Sequence, residues 1–273
     1  MQPNASYDDR EYSRILDRHE HVRWQLNRDL PWDGFRPERV TDLDRRIVYT
    51  AAVSEFTTLA ASHNFLREFA DDPDFSAWVS IWFYEETKHH YALRRWLALC
   101  GIPIPDDEVM PRARPYPVGT SHAGTCTMNI ISELRAANWY ADMAHTTSEP
   151  LLAAIMQNLA ADEARHAVAF AAFGKRYVAR EAAAGVRAVL AMAYFWLADP
   201  TQVKHPADYF YPDVAIDFRI DGISQAQSAL ARADAKIFGY LSEMTGLSLA
   251  SARDLKRSLR ALLPQREALE APA

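Results

Sequence analysis

The chain has 273 residues, 49% hydrophobic and 24% charged, a length that suffices to bury a large core. Its 36 acidic residues outnumber the 30 basic ones, and the resulting net charge of −6 argues against a nucleic-acid-binding surface. Only Cys100 and Cys126 are present, so a disulfide framework is excluded, and both are expected to be buried thiols in a reducing compartment.

The first residues lack the basic and then apolar order of a secretory signal. No uncharged apolar stretch reaches the roughly 18 residues that a membrane span needs. The nearest stretch, Val186 to Ala198, is too short and contains Arg187. We therefore expect a cytoplasmic protein without a membrane span.

Apolar residues at helical spacing predict an outer helix within residues 7 to 30. A second helix, of roughly 30 residues, is predicted from Val40 to Phe69, with Thr41 or Asp42 as its N-cap. After a break at residues 71–73, the next helix is predicted from about residue 74 to 100 and ends at Gly101.

Residues 102 to 118 contain five prolines, a density that predicts neither helix nor central strand. Helices are then predicted from about Thr120 to Thr146 and from Leu151 to about Arg180. Ser148 or Glu149 is the expected cap between these two helices. Three further helices are predicted in the C-terminal region, over residues 186–197, 224–244 and 249–263. The fold class is all-α.

One pattern of metal-ligand residue types occurs twice along the chain. A glutamate is followed, after 31 residues in one copy and 30 in the other, by Glu-x-x-His: Glu55 with Glu86 and His89, and Glu133 with Glu163 and His166. In both copies the midpoint falls on a predicted turn, at residues 71–73 and 148–150. In an antiparallel hairpin, residues equidistant from the turn lie at the same height. Each glutamate is therefore expected to lie level with its Glu-x-x-His pair.

The proline-rich connection can join the two hairpins. Its 17 residues reach about 56 Å when extended, whereas a helix of 27 residues is about 40 Å long. We therefore expect a ferritin-like four-helix bundle with a long crossover between helices 2 and 3, plus extra N- and C-terminal helices. Residues 1–273 would form a single domain, with a core bundle at about 40–180 and a C-terminal extension at about 183–265.

The six repeated residues suit a dinuclear metal centre. Glu and His three positions apart share one helix face, and two such pairs with two further glutamates form the ligand set of di-iron and di-manganese bundles. Four carboxylates balance two divalent cations. The alternative is a set of structural salt bridges. Against it, Lys88, Arg135 and Arg165 each follow a ligand by two positions and would point away from the site.

Two sequence motifs resemble those of soluble acyl-carrier-protein desaturases: Trp82-Phe-Tyr-Glu-Glu-Thr-Lys-His89 and Ala161-Asp-Glu-Ala-Arg-His166. The resemblance covers about residues 40 to 180. It implies that the six residues bind two Fe²⁺ ions, with Asp162 supporting a ligand histidine. It also implies O₂ as co-substrate, a ferredoxin-type electron donor and an acyl substrate held by an acyl carrier protein. We also expect a homodimer. Mn/Fe and Mn/Mn pairs remain open, because oxygen-rich ligands suit them nearly as well.

The chain departs from this family and from its relatives at several positions. Ala136 stands where many plant desaturases carry threonine, and the chain is shorter than those enzymes. Leu159 replaces a histidine of p-aminobenzoate N-oxygenases, and Leu93 replaces the radical tyrosine of ribonucleotide-reductase small subunits. These departures leave the metal site in place and the particular reaction open.

Phe56, Trp82 and Ala136 lie near the ligands and are candidates to line a substrate pocket. Trp78, Phe56 and Trp82 are alternatively plain core residues. Small residues near Glu133 would leave room for O₂ and an apolar chain, or would merely permit close helix packing: Gly124, Thr125, Ala136 and Ala137. Glu85 and His90 flank the first motif on other helix faces and are interpreted as non-ligands.

Three functions remain as hypotheses. The first is O₂-dependent desaturation or hydroxylation of an apolar, carrier-linked acyl chain, and the second is oxygenation of a small specialised metabolite. The third is iron storage or peroxide handling, as in ferritins and rubrerythrins. Two basic clusters form either a solvated surface or a dock for an acidic carrier protein: Arg94 with Arg95, and Arg253, Lys256, Arg257 and Arg260.

Overall fold

The computed structural model describes residues 11–199, 206–210 and 224–262. Within these residues the regular secondary structure is helical and contains no strand. The helices are α1 (Glu11–Val22), α2 (Asp42–Glu55), α3 (Thr58–Glu68), α4 (Pro73–Leu99), α5 (Asp106–Val109), α6 (His122–Thr146), α7 (Pro150–Glu181), α8 (Ala183–Leu197), α9 (Pro206–Phe210), α10 (Ser224–Thr245) and α11 (Ala252–Ala261). The all-α prediction is thereby confirmed.

The first hairpin of the bundle pairs α2 and α3 with α4. Thr41 caps α2 through a reciprocal pair of hydrogen bonds with Asp44, and Asp72 caps α4 immediately before Pro73. After α4 ends, Gly101 adopts φ +76°, a conformation that glycine takes without a Cβ clash. The predicted turn at residues 71–73 is confirmed.

The second hairpin pairs α6 with α7, which make the most extensive helix–helix contact in the described residues. Glu149 caps α7, since its carboxylate accepts from the backbone N–H of Leu151 at 3.2 Å and of Leu152 at 2.7 Å. The same buried carboxylate accepts from Trp96 Nε1 at 2.8 Å and from the Arg36 N–H at 3.1 Å. Glu149 therefore ties the second turn to α4 and to the chain before α2.

The single helix predicted from Val40 to Phe69 is wrong, because the structure divides it into α2 and α3. The Thr58 hydroxyl donates to the Glu55 carbonyl, and the Thr57 N–H bonds Ser54 O at 2.9 Å, three residues back. Hydroxyl side chains that compete for backbone carbonyls in this way interrupt a helical ladder. The break therefore directly follows the ligand candidate Glu55.

Two further boundaries differ from the sequence-based expectation. The proline-rich connection contains α5 and a 3-10 turn at Met110–Ala113, although no helix was expected there. Proline is compatible with the start of a helix: Pro105 is the N-cap residue of α5, and Pro111 lies in the first turn of the 3-10 segment. The outer helix predicted within residues 7 to 30 is only α1, and residues 7–10 lie outside the described ranges.

The interior consists of two apolar clusters along the bundle. One includes Phe65, Trp78 and Phe170, and the other includes Val48, Trp96 and Ile155. On α4 and α7, the glutamates and histidines of the repeated pattern lie in sequence between residues of the two clusters. A buried polar layer is therefore sandwiched between two apolar layers.

The C-terminal helices α8, α10 and α11 pack on the outside of α6 and α7 or on one another. Residues 200–205, 211–223 and 263–273, including parts of the predicted C-terminal extension, lie outside the described ranges. The single-domain organisation stays a prediction. No helix among the described residues is long and apolar enough to cross a membrane. Both cysteines are free, Cys126 buried and Cys100 only partly so.

Candidate metal centre

The six ligand candidates meet in the middle of the bundle and form two overlapping groups. One group contains Glu55, Glu86, His89 and Glu163, and the other contains Glu86, Glu133, Glu163 and His166. In each group the candidate ligand atoms all lie within 4.8 Å of one another. Glu86 and Glu163 belong to both groups. Two shared carboxylates between two sets are the arrangement expected of a dinuclear centre.

Four helices supply these side chains: α2, α4, α6 and α7. All six residues are between 0% and 9% exposed, so water does not compensate their charges. Their equal height follows from the turns, which lie midway between each glutamate and its Glu-x-x-His pair. The helical period therefore places each ligand candidate on the inward face of its helix, and the two hairpins bring these inward faces together.

Both histidines present Nδ1 to the carboxylates and are held by Nε2 from behind. His89 Nε2 lies 2.9 Å from Asp162 Oδ2, while its Nδ1 lies 3.4 Å from Glu163 Oε1 and has no hydrogen-bond partner. His166 Nε2 lies 2.9 Å from Glu85 Oε2, and its Nδ1 lies 2.9 Å from Glu86 Oε1. A buried imidazole nitrogen without a hydrogen bond, facing carboxylates, fits a metal ligand.

Asp162 and Glu85 perform the same task in the two halves. Asp162, on α7, reaches His89 of the first hairpin, and Glu85, on α4, reaches His166 of the second. The sequence predicts this role for Asp162, whereas Glu85 is predicted only to be a non-ligand. The repeat contains the missing signal, because an acidic residue directly precedes the Glu of both Glu-x-x-His motifs. Glu85 is indeed outside both groups of candidate ligands.

Lys88 and Arg165 point away from the six ligand candidates, as expected from their spacing, and reach Asp162 instead. Lys88 Nζ lies 3.3 Å from Asp162 Oδ2, and Arg165 contacts Oδ1. Trp24 also donates from Nε1 to Asp162 Oδ2 at 2.7 Å. Arg135 differs from this expectation, because it lines the cavity beside the cluster and lies 3.7 Å from Asp234.

The two unshared glutamates are each oriented by an aromatic donor. Tyr140 donates its hydroxyl to Glu55 Oε1, and Trp82 donates from Nε1 to Glu133 Oε1 at 3.1 Å. Both aromatic residues are almost fully buried. Each aromatic donor therefore holds one carboxylate oxygen in place. The other oxygen of each carboxylate faces a histidine of the cluster.

The electrostatics of the metal-free cluster favour retained protons. Burial, together with the charges of Glu86 and Glu163, raises the pKa of Glu55 well above its ordinary value. Burial and neighbouring carboxylates likewise raise the pKa of Glu163. Burial opposes charge on both histidines, but the surrounding carboxylates outweigh it and raise the pKa of His89 and of His166. Metal binding at such a cluster is expected to release protons.

A cavity of about 180 Å³ opens beside the cluster. Four ligand candidates form part of its wall, and the remaining lining residues come mainly from α2, α3 and α6: Ala51, Ser54, Thr57, Thr58, Ala61, Trp82, Tyr116, Met128, Asn129, Ser132, Arg135, Ala136, Trp139, Tyr140, Pro206 and Phe210. Trp82 and Ala136, two of the candidates for pocket lining, are among these residues. Phe56 is not among the lining residues and packs edge-on against His90, with ring centroids 5.1 Å apart.

Three other residues considered from the sequence lie in packing contacts or hydrogen bonds away from the candidate ligand atoms. Trp78 packs edge-on against Phe170 in the apolar cluster, with centroids 4.7 Å apart. A Cβ on Gly124 would lie in van der Waals contact with Ala188, so Gly124 lies at the α6–α8 packing contact. His90 lies outside both groups of candidate ligands, and its Nδ1 lies 2.7 Å from the Ala52 carbonyl.

Of three comparisons with known proteins, only the comparison of structures found a similar protein. No protein-family model matches the chain, and no curated protein matches it. Among solved structures, it is similar to DesA2 of Mycobacterium tuberculosis H37Rv, which is provisionally assigned as an acyl-ACP desaturase. The TM-score is 0.53 at 18% sequence identity, over 90% of this chain and 95% of DesA2. The chain therefore shares the all-α fold of DesA2.

Proposed function

We propose that this protein is an O₂-dependent oxidoreductase with a dinuclear metal centre that acts on an apolar substrate. The observation that carries the proposal is the pair of buried ligand groups that share Glu86 and Glu163. Six ligands of this composition suit Fe²⁺, and also Mn²⁺, in both positions. The proposed ligands are Glu55, Glu86, His89, Glu133, Glu163 and His166.

A bound pair of ferrous ions would supply electrons for the reduction of O₂. The residues of the chain would orient the ligand histidines and exclude water from the centre. Asp162 and Glu85 hold the ring N–H of each histidine and thereby select the tautomer that presents Nδ1. Apolar layers on both sides exclude bulk water from the centre, which protects reactive species from side reactions.

The cavity supports an apolar substrate that reaches the centre. Its wall includes Met128, Ala136, Trp139 and Phe210 together with the carboxylates of the cluster, so a C–H bond of an enclosed chain would lie beside the metals. The likeness to DesA2 supports an acyl chain on an acyl carrier protein as the substrate. Desaturation and hydroxylation both fit this placement. A ferredoxin-type electron donor and a homodimer are part of the same proposal.

The exposed basic residues of α11 are the proposed dock for an acidic carrier protein. Arg257 pairs only locally, with Asp254 at 2.8 Å, and its side chain is 69% exposed. The other predicted basic cluster is engaged within the chain. Arg94 bonds Asp106 at 2.7 Å, and Arg95 bonds Asn27 at 2.8 Å. Of the two clusters, the one on α11 therefore offers more charge to a partner.

A second candidate function is oxygenation of a small polar metabolite. Ser54 and Thr57 add hydroxyl groups to the cavity wall, and a pure hydrocarbon substrate would offer these groups no hydrogen bond. Presenting both substrate classes to the same protein discriminates between the candidates.

The proposed function is tested by anaerobic loading with Fe²⁺ and one pulse of O₂, followed by iron analysis and optical spectroscopy. We expect two irons per chain and an O₂-dependent product from acyl carrier protein substrates when reductase and ferredoxin are supplied. Glu163→Ala should lose both iron and activity. Loss of activity in Glu163→Ala with both irons retained would contradict the ligand assignment.

A further inference from the structure

The two ligand groups differ in the charges near the Nε2 atoms of their histidines, on the side away from the other ligand candidates. We call the surroundings of His89 and of His166 the two halves of the centre. Behind His89, Asp162 has both oxygens engaged: Oδ1 by Arg165, and Oδ2 by His89, Trp24 and Lys88. Lys88 and Asp162 have side chains that are 4% and 0% exposed, so water screens their pairing little. One carboxylate and two cations give this half a local charge of +1.

Behind His166, Glu85 has a poorer set of partners. His166 Nε2 and His19 Nδ1 both approach Oε2, at 2.9 and 3.1 Å. Oε1 is buried and has no hydrogen-bond partner among the described residues. No described Lys or Arg nitrogen forms an ion pair with Glu85, whose side chain is 0% exposed. The carboxylate charge in this half is therefore not offset by a described Lys or Arg.

The other contacts of the centre do not remove this difference. Glu55 and Glu133 each accept a hydrogen bond from one neutral aromatic donor, so these bonds add no charge difference between the two halves. The pair of Arg135 and Asp234, at 3.7 Å, contributes no net charge. Lys88 also interacts with Glu85, but beyond ion-pair distance, and Coulomb energy falls as separation grows.

We infer that the two metal positions are unequal, and that the one formed by Glu86, Glu133, Glu163 and His166 binds a divalent cation more tightly. A carboxylate behind a histidine raises the basicity of the ligand nitrogen. Two cations on Asp162 weaken that effect for His89, whereas no described Lys or Arg forms an ion pair with Glu85 and weakens its effect on His166 in the same way. The inference rests on the proposed function only in taking the six residues as metal ligands.

The order of filling is tested with Mn²⁺, whose free concentration is read by electron paramagnetic resonance. Stepwise affinities of the wild type are insufficient, because a first cation repels a second one in any dinuclear site. His89→Ala leaves only the His166 position complete, and His166→Ala leaves only the His89 position complete. We expect His89→Ala to bind one Mn²⁺ about 10- to 100-fold more tightly than His166→Ala. Equal affinities, or the reverse order, would overturn the inference.

The electrostatic cause is tested by removing the cations. In the His166→Ala background, Lys88→Gln should strengthen the remaining Mn²⁺ site by about tenfold, since a cation near the metal is lost. Because Lys88 is buried, Arg165→Gln, at a side chain that is 19% exposed, provides a second variant with less effect on packing. Lys175→Gln is the control, because Lys175 is 47% exposed and pairs with Glu243. Weaker binding in both folded variants would overturn the inference.

Failure of the inference differs from failure of the proposed function. If the wild type binds no Mn²⁺ or Fe²⁺, both are overturned. If two ions bind and the single-position variants have equal affinities, only the inference is overturned. Unequal positions in a protein that never consumes O₂ would support the inference and refute the proposed function.

Discussion

Replacing Glu163 by Gln should stabilise the metal-free protein. Glu163 is shared by both ligand groups and is only 2% exposed. Burial and the charges of Glu86 and Glu133 raise its pKa, so its ionised form opposes folding when no metal is bound. One uncompensated buried group costs about 1–3 kcal/mol. We therefore expect metal-free Glu163→Gln to unfold at higher urea than metal-free wild type at pH 8.

The pH dependence follows from the direction of the shift. Since the folded-state pKa of Glu163 exceeds the unfolded one, its cost is absent below the ordinary value of 4.5 and grows as the pH rises toward the folded-state pKa. The advantage of Glu163→Gln should accordingly disappear in acid. An advantage that persists unchanged at pH 4 would refute the charge explanation.

Metal should reverse the order of stability. A ligand at 100 times its Kd stabilises a protein by about 2.7 kcal/mol, so two ions contribute about 5 kcal/mol. At about 2–4 °C per kcal/mol for a chain of this size, wild type should gain about 10–20 °C in Tm. Glu163→Gln should gain less than half of that, because both positions lose a ligand.

The assay is thermal unfolding followed by circular dichroism, in EDTA and in excess Mn²⁺. Glu108→Gln, at an exposed residue of α5, is the matched control and should change stability by less than about 0.5 kcal/mol in either condition. The reasoning is refuted if metal-free Glu163→Gln is less stable than wild type, or if Mn²⁺ stabilises both proteins equally.

Three further predictions concern the surroundings of the centre. Tyr140→Phe removes the donor to Glu55 and should weaken Mn²⁺ binding about tenfold or more in a direct titration. Ala136→Phe should fill part of the cavity and therefore raise KM for an acyl substrate. Elemental analysis should still find two metals per chain in this variant. Burial, opposed by bonds from Thr125 and Gly119, raises the pKa of Glu68, so ionised Glu68 costs stability above its ordinary 4.5. Glu68→Gln should therefore be the more stable protein at pH 8 but not at pH 4, as measured by urea unfolding.

Much of the fold could be predicted because its signals are local. Gly101 ends α4, Glu149 caps α7, and the apolar spacing marks the helices between them. The break after Glu55 was missed, because apolar spacing continues across it, and the cause is a hydroxyl of Thr58 that takes a backbone carbonyl. Whether a hydroxyl does this depends on the surrounding packing.

The candidate ligands were predictable, while their supports were predictable only in part. Asp162 was found, but Glu85 was set aside although it occupies the equivalent position of the other motif. Trp24 could not be placed, because it lies 138 residues from Asp162 in sequence. His19 likewise meets Glu85 only after α1 packs on the bundle. No periodicity encodes contacts of such long range.

The sequence by itself determined which six side chains converge, because helical periodicity selects a face and the turn positions set the height. Only the tertiary structure decided that Glu86 and Glu163 are shared, that Lys88 and Arg165 pair with Asp162, and that a cavity opens beside the cluster. It also decided that Glu85 has no ion pair with a Lys or Arg among the described residues. These features depend on how helices far apart in sequence rotate and pack against one another, and side-chain contacts across such interfaces have no local signature.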